Sequence, residues 1–223
     1  VEAKHPEGYT VYLLTHEGEE RGFLEAHPAI DEETRAFYLT LAGAGIPNSS
    51  SSARWDDDAA ARLDGATRHT VSQLLYSTFG LGLSHGWAYE GLGLYLTREL
   101  VGTRLTWYVQ PGADPDEYEK NQRAKLLSSD TNWMNEAWEL LQSERRPDLE
   151  RVLTRNVNEM TVDDLLYSYA LAAYLIEGRP GEVGAFLKLV GASDDPVRAV
   201  NAALGMELPQ LAERVERWLG ERR

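Results

Sequence analysis

The chain has 223 residues, 43% hydrophobic and 26% charged, enough to bury a sizeable core in one domain. Its 22 Lys and Arg against 36 Asp and Glu leave a formal net charge of −14, and without a basic cluster it lacks the electrostatic footprint of a nucleic-acid binder. The absence of cysteine excludes disulfides, thiolate nucleophiles and cysteine-ligated zinc, and no apolar run approaches the roughly 18 residues of a membrane-spanning helix.

The opening VEAKHPEGYT lacks the charged-then-apolar pattern of a signal peptide, and the start at Val1 reads as a processed form. A secreted and a cytosolic home both remain open; an exported, extracytoplasmic setting would place the targeting segment outside these residues. Two β-branched and aromatic runs, residues 9–17 and 34–43, predict strands, and EGEERGFLEAHP between them predicts a helix stopped before Pro28. GAGIPNSSSSARWDDD, rich in Gly, Pro and Ser, predicts an exposed loop.

Helical periodicity begins at Asp57. In DDAAARLDGATRHTVSQLLYSTFG it places Leu63, Ala66, Thr70, Leu74 and Ser77 on one stripe, the expected buried face. WAYEGLGLYLTRELVG predicts a second helix whose internal glycines each cost about 1 kcal/mol against alanine and so point to close packing. A Pro/Gly break in residues 103–127 leads into a charged helix with a solvated face. Trp133, Met134, Ala137, Trp138 and Leu141 then recur at helical spacing, with Thr131 or Asn132 as cap. TVDDLLYSYALAAYLIEG starts at the cap Thr161, carries acidic residues in its first turn and ends at Gly178. PGEVGAFLKLVGAS, DPVRAVNAALG and ELPQLAERVERWLGERR predict three further short helices.

The two central helices bear the residues with chemical interest. A zinc peptidase helix needs imidazoles at i and i+4 on one face, with a glutamate directly after the first to polarise the attacking water. GWAYEGLGLYL is similar to the W-x-x-E-G-x-x-x-Y helix of the gluzincin branch, which supplies the third ligand, and Glu90 falls on that position. The tail from Asp164 resembles the helical tail of peptidase-MA-like gluzincins, including a bacterial branch of unknown function. Ser168, Ala170, Leu171, Tyr174, Leu175, Pro180, Gly181, Ala199, Leu204, Gly205 and Trp218 match that pattern. The likeness covers roughly the whole chain, each motif being weak and their order and spacing carrying the weight.

The zinc motif itself departs from the family. Aligned through the trailing Q-L-L, the five positions of H-E-x-x-H read Arg68, His69, Thr70, Val71 and Ser72. Moving the register by one makes His69 the first ligand but puts Thr70 at the base and Gln73 at the second ligand, so neither register restores the site. Loss of two of three ligands should abolish useful zinc affinity. In the tail, Leu165 stands at the leading tyrosine of the family helix and Tyr167 at its glutamine. Arg68, permanently charged, is expected to replace the metal and neutralise Glu90. The plain alternatives are a solvated arginine at 68, a partly exposed His69 and an ordinary helix carboxylate at 90.

These readings combine into an α+β, zincin-like domain over residues 1–223. Residues 1–56 give the strand-helix-strand part and loop, 57–110 the degenerate active-site helix and the Glu-bearing helix, and 111–223 a helical subdomain. The resemblance implies a catalytically inactive, peptidase-like domain with zinc lost and no cofactor. It would bind a peptide or protein, or act as a structural module, through a cleft with Arg68, His69, Ser72, His85, Glu90 and Tyr167 as candidate residues. The alternative is an active hydrolase with a metal site rebuilt from His69, His85 and Glu90. Nucleic acid is not expected as a partner, and the sequence does not specify the oligomeric state.

Overall fold

The computed structural model describes residues 10–13, 17–26, 31–33, 35–36, 51–54, 59–102, 116–128, 130–193 and 195–222. Among them the fold is helical. Helix α1 spans Glu17–Ala26, α2 Ala59–Phe79, α3 Gly86–Val101, α4 Glu117–Leu127 and α5 Trp133–Leu141. After α6 (Leu149–Thr154) and a 3₁₀ turn (Val157–Glu159) come α7 (Val162–Ala173), running into a π-helical turn (Tyr174–Gly178), then α8 (Val183–Gly191), α9 (Pro196–Leu204) and α10 (Leu208–Gly220).

The expected α+β architecture with an N-terminal sheet is therefore corrected: the described residues are predominantly helical. Among the described residues, strand character is confined to β1 (Thr10–Leu13) and β2 (Ser51–Arg54), a parallel ladder of four residue pairs with Thr10 opposite Ser51. β2 lies inside the segment predicted as a loop. In the predicted strand at 34–43, Arg35 and Ala36 are helical, and the Arg35 amide donates to the Asp31 carbonyl at 2.9 Å; residues 37–43 lie outside those described. Short apolar runs do not separate strand from helix by periodicity, and here an i to i−4 backbone bond decides.

Helix α7 is the centre of the fold, because all 12 of its residues are buried. Apolar side chains on every face make it a core helix with no solvated side. Its start is fixed by a capping box in which the Thr161 hydroxyl accepts from the Asp164 amide at 3.2 Å and Asp164 Oδ2 accepts from the Thr161 amide at 2.9 Å. The Asp164 carboxylate also takes Arg151 Nη2 at 2.7 Å and Arg155 Nη1 at 2.6 Å, tying α6 and the following turn to the α7 N-terminus. Helix α6 itself, capped by Asp148, is an element the sequence reading does not anticipate.

α3 packs along α7, α2 covers α3, and α5 closes the other side of α7. Gly91 makes the α3–α7 approach possible: a Cβ there would lie 2.4 Å from the Ser168 carbonyl oxygen. Its neighbours along α3, Trp87, Leu92 and Leu94, are fully or almost fully buried. The predicted core residues Trp133, Ala137 and Leu141 are buried, and Asn132 caps α5 through its side chain.

Candidate functional site

Helix α2 buries the predicted stripe only in part: Ala66 is buried, Thr70 and Leu74 are half-buried, and Ser77 is exposed. Leu63 is 48% exposed, whereas Asp64, Arg68, Val71, Ser72 and Leu75 are buried. Their spacing of i, i+4, i+7, i+8 and i+11 is one helical face, and it is turned toward α3. The face includes three polar residues, so hydrophobic periodicity alone misses part of the side that is inside.

Across from it, Glu90 is fully buried on α3. Arg68 Nη2 donates to Glu90 Oε2, forming an ion pair whose side chains are 1% and 0% exposed. Gly93, one turn beyond Glu90, faces the guanidinium: a Cβ there would sit 3.8 Å from Arg68 Nε, in ordinary van der Waals contact. Ser72, one turn after Arg68, is 1% exposed, and its hydroxyl meets no hydrogen-bond partner among the described residues. Asp64, one turn before Arg68, is a buried carboxylate on the same face that the motif comparison missed, since it lies outside the five-residue motif.

The residues present do not fit a zinc ion. Arg68 and Ser72 occupy the two positions that the resemblance gives to neutral imidazoles, and the Glu90 carboxylate is paired with a guanidinium. Among the described residues no group of three or more His, Asp or Glu side chains is placed to hold a metal. His69 belongs to α2, but its side chain lies outside the described residues. His85 sits immediately before α3, where its Nδ1 accepts from the Gly82 amide at 3.3 Å and lies 3.2 Å from the Ser84 hydroxyl. Those contacts give it a local role in the turn that starts α3.

Tyr167 is not brought to Glu90. It lines a separate cavity of about 460 Å³ with Arg146, Pro147, Leu149, Pro209 and Ala212, between the starts of α6 and α10. The neighbouring Ser168 faces α3, and consecutive residues on a helix point about 100° apart. Tyr167 is fully buried, and its hydroxyl meets no hydrogen-bond partner among the described residues. Burial pushes its pKa up to about 12, against the opposing pull of the nearby Arg146 guanidinium. Arg146 Nη1 pairs with Glu216 at 2.8 Å, and Gln142 Nε2 donates to the same carboxylate at 2.7 Å.

Among the described residues no helix is long and apolar enough to cross a membrane. No protein-family model, curated protein or solved structure matches the chain.

Proposed function

We propose that the chain is a non-catalytic, gluzincin-like module in which Arg68 takes over the charge-balancing role of a lost metal ion. The observation that carries this reading is the buried Arg68–Glu90 pair, formed between the two positions singled out by the motif. A carboxylate buried alone costs several kcal/mol, and a permanently charged guanidinium offsets that cost without metal. What remains is a helical scaffold suited to holding a peptide or protein partner or to serving as a structural module. Because Arg68 and Glu90 are closed off from solvent, binding takes place elsewhere on that scaffold.

Peptide cleavage with and without added zinc tests the reading. No zinc-dependent turnover is expected from the wild-type chain. Zinc-dependent cleavage abolished by Glu90→Gln would instead establish a hydrolase with a metal site rebuilt around Glu90, with His69 and His85 as its remaining ligands.

A further inference from the structure

Helix α4 is held to the fold by charge and hydrogen bonds more than by apolar burial. Leu126 is the single buried residue among its 11. Tyr118, Glu119, Gln122 and Arg123 share its inward face and are half-buried, so that face is mostly polar. A helix this short is marginal in water by itself and depends on the face it packs.

Polar contacts fasten both ends. At the start of α4 the Tyr118 hydroxyl donates to Asp163 Oδ1 at 2.7 Å. Arg145 Nε donates to the other oxygen of that carboxylate at 3.2 Å, and its Cζ lies 3.6 Å from the centre of the Tyr118 ring. In the last turn Lys125 Nζ pairs with Glu136 Oε2 at 2.7 Å, and the Leu126 carbonyl accepts from Trp133 Nε1 at 2.9 Å. Between these points the seam against α5 is not filled: a cavity of about 210 Å³ opens among Tyr118, Gln122, Lys125, Glu136 and Arg145. The Lys125 and Arg145 side chains are half exposed, and ion pairs open to water contribute little. An attachment this thin opens at a lower free energy than a core helix such as α7, whose every residue is buried.

We propose that α4 is a lid that detaches as one unit while α7 and the helices around it stay folded. Detachment breaks the Asp163, Glu136 and Trp133 contacts together. It uncovers the Trp133 indole N–H and the Glu136 and Asp163 carboxylates, all buried while α4 is in place, and so gives the scaffold a second state with an aromatic and acidic floor between α5 and α7. The lid is independent of whether the chain is catalytic, since none of its contacts involves Arg68 or Glu90.

The test is native-state hydrogen exchange of the intact chain, read at single amides by NMR. Ala124, Lys125 and Leu126 are expected to share one protection factor, at least about tenfold below that of Ala170 and Leu171 in α7. Phe186→Leu trims the core at α8, which stays folded when only the lid opens. It should therefore speed exchange at Ala170 and Leu171 about tenfold and leave the three α4 amides unchanged. Arg145→Met, which removes the Asp163 pair and the contact with the Tyr118 ring, should speed the α4 amides about fivefold. Should Phe186→Leu fail to fold by circular dichroism, Val200→Ala, in the core on α9, takes its place. The proposal is overturned by α4 amides that match those of α7 in the wild type, that differ in protection from one another, that follow α7 in the core variant, or that do not respond to Arg145→Met.

Discussion

At the scale of single residues, the buried Arg68–Glu90 pair has an asymmetric energetic signature. Removing one partner takes its counter-charge from a buried ionised group, so Arg68→Met and Glu90→Leu are each expected to destabilise the chain by about 3–5 kcal/mol. Replacing both together leaves an apolar contact of similar volume, and the double variant is expected to be near-neutral or more stable than either single variant. Urea denaturation of the four proteins reads this directly; additive losses would mean that the two residues do not act as a pair. Tyr167 has the opposite signature. Its hydroxyl is buried without a partner, so Tyr167→Phe should leave the unliganded protein as stable or stabilise it by about 1 kcal/mol.

Two tyrosines also set an alkaline limit. Burial, together with a 2.7 Å hydrogen bond to Asp163, pushes Tyr118 up to about 12, and burial does the same for Tyr167. Both folded-state values lie above the ordinary 10.0, so folding favours the protonated phenols. That stabilisation is complete below pH 10 and lost as pH rises toward 12. The urea midpoint is expected to fall over this window, and to fall less in Tyr118→Phe; an unchanged pH dependence in that variant would contradict the assignment.

At the scale of elements, the α3–α7 contact depends on a glycine. Gly91→Ala would gain about 1 kcal/mol of helix propensity but place a methyl 2.4 Å from the Ser168 carbonyl oxygen. The backbone cannot give way as a flexible side chain would, and overpacking costs about 1–3 kcal/mol. A net loss of stability is expected, measurable as a lower thermal midpoint; a rise would show that α3 and α7 are free to separate.

Helix existence was largely legible in the sequence, because caps such as Asn132 and Thr161 and long periodic runs are local signals. The sheet was legible only in part: the run at 9–17 contains β1, whereas Arg35 and Ala36 of the run at 34–43 are helical and β2 falls where Gly, Pro and Ser read as a loop. The buried face of α2 was found only in part, for a different reason. Asp64, Arg68 and Ser72 are polar, so a search for apolar periodicity discards part of the side that is inside. The Arg68–Glu90 pair was found only by comparing spacing with a metal motif. Tyr167 was assigned to the wrong neighbours because its cavity joins residues 146–150 to residues 208–212, a contact no local pattern reveals.

At the scale of the whole molecule, the helices form one scaffold around α7, with a closed ion pair on its α3 side and an open cavity near its α10 side. On the proposed reading, the closed pair occupies the position of a former zinc site. Its most direct test is the zinc content, after equilibration with zinc and dialysis, of the triple variant Arg68→His/His69→Glu/Ser72→His, which restores H-E-x-x-H one helix away from Glu90. One zinc ion per folded chain, absent from the wild type and lost again on adding Glu90→Gln, is the predicted result. A triple variant that folds, as judged by circular dichroism, yet retains no zinc would contradict the claim, as would stoichiometric zinc in the wild type.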